Sequence, residues 1–422
     1  MKKLLLCLLV PVIAMAGCGK KKPSQLTFWH VMGGPLGKTM EAMAGEFTKQ
    51  SGVKLTMVNM GSYDALSQKL MASMAAGNTP VLAQAYEAWT SQLLEARTKD
   101  NGVQPFQDFV GGRDGLDSAS LADFYPVMLA ECSRDGRLVS MPFNKSVPVY
   151  YYNRDLFRKA GLDPDRFPET WDEFLAAAKK LTIDRNNDGR PEQYGTAMSK
   201  DATWLFQCML LQNGGRVFDD QGRVVFDSPA GIEALQFLAD LNNRHKVSFT
   251  AQGFEYQNDF LSGRVAMIQS SSASLAYMKQ DSITFELGIA PLPRFKKRAV
   301  VLSGTNIIMF RNASKGAQQH GWEYVKYMTA TEQTARWAAE TNYLPVRRSA
   351  LEQEVLQAKF KKYRGLKDAY RQLEYAQPEP SDLAWLKGRS RMKEDGLQPA
   401  MDGTMPAAQS LRNAAAKING TR

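Results

Sequence analysis

The sequence predicts an α/β protein in which mainly parallel sheets are covered by helices. Short strand-like apolar runs alternate along the chain with longer segments of helical period, the pattern of strands buried between helices. The 422 residues, 44% of them hydrophobic and 10% aromatic, supply enough apolar material for two cores. A charged fraction of 23% is that of an ordinary globular chain and excludes disordered, collagenous and disulfide-scaffold classes.

Taken in order, Gln25 to Trp29 reads as a strand, Gly37 to Gln50 as a helix with Met40, Met43, Ala44 and Phe47 on one face, and Val53 to Asn59 as the next strand. Asp64 to Ala76 is helical, Pro80 to Tyr86 a third strand, and a helix follows through Trp89, Leu93 and Leu94. A second series begins with the extended stretch Leu138 to Tyr152. Asn153-Arg154-Asp155 is a turn, and helices are expected at Leu156 to Ala160 and at Trp171 to Leu181, the latter capped by Thr170. Helices then come at Trp204 to Leu211, Gly231 to Asn242 and Phe254 to Leu261, before a strand at Gly263 to Ile268 and a helix at Leu275 to Gln280. Gly288 to Pro293 and Val300 to Phe310 are strands, the second broken at Ser303-Gly304-Thr305-Asn306. Helices at Trp322 to Met328 and Glu332 to Glu340 end at Tyr343-Leu344-Pro345-Val346. Leu351 to Tyr375 reads as a basic amphipathic helix pair with Leu356, Phe360, Tyr363 and Leu366 on its apolar face, a lobe-packing surface.

The first residues set the compartment. Lys2 and Lys3 precede an apolar run from Leu4 to Met15, long enough for an export signal and too short to span a bilayer. Met15-Ala16-Gly17-Cys18 resembles the lipobox of bacterial lipoproteins, so residues 1–17 are expected to be a signal peptide, Cys18 the lipidated residue and 18–23 a basic tether near anionic head groups. Ala14-Met15-Ala16 also suits an ordinary signal peptidase, which leaves a soluble secreted form open. Either way the protein is expected outside the cytoplasm.

The formal charge of +10 is spread along the chain without an arginine-rich arm, so no nucleic-acid partner is expected; an anionic small ligand or a membrane surface fits it. Cys132 and Cys208 are expected to be buried free thiols, although one disulfide is open outside the cytoplasm. His30, His245 and His320 stand alone, and no nucleophile elbow, phosphate loop or dinucleotide fingerprint occurs. No cofactor, no metal site and no catalytic residues are therefore assigned. Asp184 to Glu192 has oxygen ligands at alternate positions like the first half of an EF-hand loop, but position twelve is Gly195, and a polar turn is favoured over calcium.

Several segments carry a family resemblance. Phe28-Trp29-His30, Gly33-Gly34-Pro35-Leu36-Gly37, Gly61-Ser62-Tyr63 and Ala85-Tyr86-Glu87, followed by Pro142-Phe143-Asn144-Lys145-Ser146, Ala160-Gly161-Leu162-Asp163-Pro164, Pro168-Glu169-Thr170-Trp171, Gly263-Arg264-Val265-Ala266-Met267 and Thr341-Asn342-Tyr343-Leu344-Pro345-Val346, are similar to the solute-binding proteins of ABC importers in the maltose-binding superfamily. The tryptophan–histidine opening and the PFN-x-S crossing most resemble the branch that binds sn-glycerol-3-phosphate. The resemblance implies a two-lobed periplasmic-binding-protein fold with three crossovers near Pro142, Pro293 and Pro345. It implies an N-lobe of 24–142 plus 294–344, a C-lobe of 143–293 plus 345–422, and ligand held between them for delivery to permease subunits and their ATPase.

That match places Tyr63, Glu87, Ser146, Trp204, Ser272, Gly304, Tyr343 and one arginine, Arg391 ahead of Arg389, in the cleft. A carboxylate such as Glu87 offers two acceptors to a vicinal diol, while serine hydroxyls, a tyrosine, backbone N–H groups near Gly304 and an arginine suit a phosphate. Ser272 is equally a helix cap, and Trp204 is either a wall for the ligand or a core residue. Glycerol-3-phosphate or a glycerophosphodiester is the expected ligand, with a neutral sugar or oligosaccharide as the alternative. An exported hydrolase using Glu87 and Asp155 ranks last, because the match leaves Asp155 outside the cleft.

Overall fold

The structure is a computed structural model that describes residues 25–98, 101–112, 114–278, 282–381 and 383–420. Cys18, the signal and the tether lie outside the described residues. Among the described residues no helix is long and apolar enough to cross a membrane.

The strands are β1 (Leu26–His30), β2 (Leu55–Asn59), β3 (Leu82–Ala85), β4 (Val103–Gln104), the hairpin β5 (Ser133–Arg134) and β6 (Arg137–Leu138), β7 (Met141–Ser146), β8 (Pro148–Asn153), β9 (Tyr194–Ser199), β10 (Thr250–Ala251), β11 (Val265–Ser271), β12 (Leu287–Ala290), β13 (Val300–Val301), β14 (Ser303–Phe310) and β15 (Ala376–Gln377). They form two principal sheets. The first runs β2-β1-β3-β14-β4 with β7 also paired to β14, and the second runs β10-β9-β11-β8-β12. Each is flanked by helices, so the α/β class and the two-lobed architecture hold.

Both sheets are mixed. In the first, β1, β2 and β3 are parallel while β14 runs against β3, β4 and β7; in the second, β9 is parallel to β10 and β11 while β8 runs against β11 and β12. The antiparallel members are the strands that carry the chain between sheets. Pro142 lies inside β7, and only Val147 separates β7 from β8, so the chain changes sheet at Val147. It returns at Leu302–Ser303, since Arg294 and Lys297 still bond to Glu169 and Gln212. It passes a third time at Tyr363–Gly365, since Val346 and Arg348 still bond to Tyr125 and Asp123 whereas Ile289 N donates to Arg364 O at 3.2 Å. The crossovers expected near Pro293 and Pro345 thus come later, because the segments after those prolines stay packed on the lobe they follow.

The local reasons are legible. Tyr150, Tyr151 and Tyr152 are all buried because β8 is central in its sheet and covered on both faces. The helix Trp171–Leu181 begins with a capping box in which Thr170 and Glu173 satisfy each other's backbone N–H, and it buries Trp171, Phe174, Ala178 and Leu181. Cys132 and Cys208 are buried free thiols, as their apolar settings implied.

Two expected elements needed correction. Of the helix expected at Leu275 to Gln280, residues 279–280 lie outside the described residues, and Leu275 and Ala276 close a 3-10 turn, Ser272–Ala276, whose start is fixed by the Ser271 hydroxyl accepting from Ala273 N at 3.2 Å. The break expected at Ser303 to Asn306 takes the form of a register shift between Thr305 and Asn306 inside one strand, Ser303–Phe310, which Leu302 precedes by donating to Gln377 O at 2.8 Å. Gly304 permits this: its φ is +119°, and a Cβ there would lie 1.7 Å from Asn144 O on β7. Asp184 to Glu192 folds as a polar turn, with Gly189 N donating to Asp184 Oδ2 and Arg185 N to Glu192 Oε2, both at 2.9 Å. Among the described residues no group of three or more His, Cys, Asp or Glu is placed to hold a metal.

Candidate functional site

The C-terminal ends of parallel strands are where open α/β sheets present ligand contacts, since helix N-termini and loops gather there. Here β3 delivers Tyr86 and Glu87 at the start of the helix Glu87–Glu95, and Ser62 caps the helix Tyr63–Ala76 so that Tyr63 stands on its first turn. The rings of Tyr63 and Tyr86 lie 5.1 Å apart and those of Tyr86 and Trp89 5.0 Å apart. Tyr343 joins them from the segment after the helix Thr331–Thr341. Asn342 ends that helix in the left-handed region with φ 62°, and the Tyr343 ring stacks on Trp337 at 6.2 Å. Burial pushes the Tyr63 pKa above the ordinary value against the pull of the neighbouring Tyr343 and Tyr86 phenols, so the hydroxyl stays protonated and able to donate.

The second sheet supplies the facing residues. Trp204 stands on the first turn of the helix Thr203–Gln212 and donates from Nε1 to Val301 O at 2.9 Å. The helix Leu383–Arg391 packs against Glu87–Glu95, and on it Arg389 reaches Thr203 Oγ1 at 3.4 Å and Glu379 Oε1 at 3.0 Å. Trp385 Nε1 donates to the same Glu379 oxygen at 3.1 Å. Burial first, then the neighbouring Tyr63, lifts the pKa of Tyr86, while the positive charge of Arg389 pulls against them. Arg389 is thus the arginine on the Tyr86 side. Arg391, the residue chosen from sequence, is 57% exposed and lies 3.5 Å from Asp395.

Ser272 meets the chain at the first passage: Val147 N lies 3.4 Å from Ser272 Oγ, and Ser272 N donates to Val147 O at 2.9 Å, while Ser146 ends β7 opposite Ser303; both serines are buried. Gly304 sits opposite Lys145 in the β7–β14 pairing.

Glu87 is placed differently from the free acceptor its position suggested. It is 4% exposed, and its Oε1 accepts from Lys145 Nζ at 2.8 Å and Asn306 Nδ2 at 2.7 Å. Lys145 is fully buried, also contacts Glu131 Oε2, and reaches Gly304 O at 3.2 Å. Burial works against the lysine's charge, yet Glu131 and Glu87 together hold its pKa above the ordinary value. Burial, followed by repulsion from Glu87, pushes the Glu131 carboxyl well above the ordinary glutamate range. Asp155 pairs with Arg158 at 2.6 Å on the surface, so it does not form with the buried Glu87 the carboxylate pair that the hydrolase reading required.

The structure therefore gathers Tyr63, Glu87, Ser146, Gly304 and Tyr343 along the first sheet, sets Trp204 and Ser272 on the second, and leaves Arg391 outside. Sequence reasoning missed Glu131, Lys145, Trp89, Glu379 and Tyr277, the last 58% exposed and close enough to Tyr343 to act on it electrostatically. Lys145 carried a signal, being the one charge inside a strand of buried residues. Glu131 ends a short apolar helix and carried none.

Comparison with known proteins bears on the whole chain. The family model of bacterial extracellular solute-binding proteins matches residues 42–367. The sn-glycerol-3-phosphate-binding periplasmic protein UgpB of Yersinia pseudotuberculosis is 29% identical over 366 residues, 85% of this chain and 82% of that protein. The crystal structure of UgpB from Mycobacterium tuberculosis in complex with glycerophosphocholine superposes with a TM-score of 0.81 at 22% identity, covering 94% of this chain and 98% of that one. The cyclic α-maltosyl-1,6-maltose-binding protein of Arthrobacter globiformis gives 0.79 at 23% identity, with the same coverage of both chains.

Proposed function

This chain belongs to the family of bacterial extracellular solute-binding proteins, and from that premise we propose that it captures sn-glycerol-3-phosphate or a glycerophosphodiester between its two sheets and delivers it to an ABC permease. The observation that carries the choice of ligand is Arg389, a guanidinium held beside Thr203 and near enough to Tyr86 to act on its phenol, with Tyr63 beside Tyr86 and Tyr343 beside Tyr63. A planar cation with phenolic donors across a gap suits a phosphoryl oxygen. Ser146, Ser272 and the Gly304 backbone would complete the polar lining, Trp204 would wall the carbon chain, and Glu87 would accept from hydroxyls. The relatives that bind glycerol-3-phosphate and glycerophosphocholine support the reading. A neutral oligosaccharide is favoured by a different observation: Glu379 offsets the Arg389 charge, and Trp204, Tyr277 and the Tyr63–Tyr86–Trp89 group offer faces for sugar rings.

We also place the lobe boundaries at the passages between sheets, which corrects the expected bounds to 24–146 plus 303–362 for the N-lobe and 147–302 plus 363–422 for the C-lobe, because Arg294 and Lys297 bond to Glu169 and Gln212 while Ala350 and Leu356 pack on Ala335 and Ala338. Lipidation at Cys18 would anchor the protein to the membrane. Cys18→Ala should then release it from the membrane fraction, and unchanged fractionation would argue for another anchor. The ligand reading is tested by a thermal-shift panel of glycerol-3-phosphate, glycerophosphocholine and maltose, since a ligand of the native state raises the melting temperature with its concentration. A shift with maltose and none with either phosphate would hand the role to the sugar.

A further inference from the structure

Two of the passages between the sheets meet at one buried residue. Lys145 lies on β7 just before the first passage, its carbonyl accepts from Leu344 in the segment after the helix Thr331–Thr341, and its ammonium reaches Gly304 O on β14, where the second passage ends. Around that ammonium stand two carboxyls, Glu87 and Glu131, with side chains 4% and 1% exposed. Two carboxylates and one ammonium would leave a net negative charge sealed from water, a costly arrangement unless a proton is retained. The other groups facing the cluster do not balance it. Arg134 points its guanidinium at the backbone carbonyls of Glu131 and Glu87, Asn306 donates an amide N–H, and the Cys132 thiol, pushed up to about 12, stays neutral. Glu131 Oε1 is buried and receives a hydrogen from no neighbouring donor, while the Glu87 carboxyl stands close enough to act on it, so a proton retained on Glu131 has an acceptor in Glu87.

We propose that Glu131 is a positioning residue of the ligand site: as a neutral carboxylic acid it donates its hydrogen to Glu87 and, with Lys145, fixes that carboxylate where the first two passages converge. The inference rests on the ligand reading of Glu87 given above. One proton on Glu131, one ammonium and one carboxylate make the cluster neutral, and Glu87 then presents acceptor capacity to hydroxyls without drawing in cations. The signal for ligand chemistry at this end of the gap is therefore a polyol, with any negative charge of the ligand at the Arg389 end.

The test compares wild type with Glu131→Gln, which keeps a permanent donor, and Glu131→Leu, which keeps the size and removes it. Infrared spectra of ligand-free wild type at neutral pH should show a protonated carboxylic-acid carbonyl band that Glu131→Gln lacks. Calorimetry with glycerol-3-phosphate and maltose as probes should find Glu131→Gln within about threefold of wild type and Glu131→Leu weaker by about tenfold or more, the scale of losing a hydrogen bond to a charged group. Should Glu131→Leu fail to fold, the band and the Glu131→Gln affinity still decide. Absence of the band, or a Glu131→Gln loss of tenfold or more, overturns the inference alone. Failure of wild type to bind either probe overturns the ligand reading and the positioning role with it.

Discussion

Replacing Lys145 with methionine should make stability fall with rising pH more steeply than in the wild type. The ammonium is fully buried between Glu87 at 2.8 Å and Glu131, so its removal strands two acids in a dry pocket. Breaking a buried ion pair from one side costs about 3–5 kcal/mol. The folded variant can reduce that cost only by binding a second proton, because neutrality without the lysine needs both carboxyls protonated. Carboxyls whose folded pKa is raised contribute stability that is present below their ordinary range and is lost as pH rises toward the folded value. One extra proton bound by the folded state steepens the loss by about 1.4 kcal/mol per pH unit, or about 3 kcal/mol between about pH 5.5 and 7.5. Urea unfolding followed by tryptophan fluorescence at those two pH values measures the difference directly. A destabilisation of equal size at both would refute the reasoning, since it would mean that the two acids do not share the burden of the missing charge.

Gly304→Ala should cost about 4 kcal/mol or more, or abolish folding, because its Cβ would meet Asn144 O at 1.7 Å in a backbone with φ +119°; an unchanged melting temperature would contradict the close approach of β7 and β14. Arg389→Ala should weaken binding of phosphorylated ligands by about tenfold or more, while Arg391→Ala leaves it unchanged; calorimetry with glycerol-3-phosphate separates them, and the reverse pattern would sink the geometric assignment. His30 is buried and its pKa is lowered to about 4, so the folded state holds fewer protons than the unfolded one between that value and 6.5. Stability from this group is therefore lost as pH falls through that window, by at most about 3 kcal/mol, and His30→Gln should flatten the acid side of the profile.

The elements with strong local signals were legible in the chain. Trp171–Leu181 was bounded correctly because Thr170 and Glu173 write a cap in four residues, and the strands expected at Gln25 to Trp29, Val53 to Asn59 and Pro80 to Tyr86 overlap the observed Leu26–His30, Leu55–Asn59 and Leu82–Ala85 because apolar runs stood between turn residues. Two-residue strands such as Val300–Val301 and Ala376–Gln377 have no period to read and arise only from tertiary pairing. The choice between Arg389 and Arg391 was beyond the sequence for a geometric reason. Two residues along a helix turn a side chain by about 200°, so one arginine faces Thr203 and the other Asp395. The burial of Glu87 was also hidden, because its partners Lys145 and Glu131 are distant in sequence and no periodicity joins them.

The proposed ligand is a small phosphorylated polyol held between the two sheets with its charged end at Arg389. A crystal structure of the protein grown with sn-glycerol-3-phosphate is the decisive measurement. One ligand is expected between the Tyr63–Tyr86–Tyr343 phenols and Trp204, its phosphate within hydrogen-bond distance of Arg389 and its hydroxyls toward Glu87. A ligand bound elsewhere, a phosphate turned toward Glu87, or an empty gap at saturating concentration would contradict it.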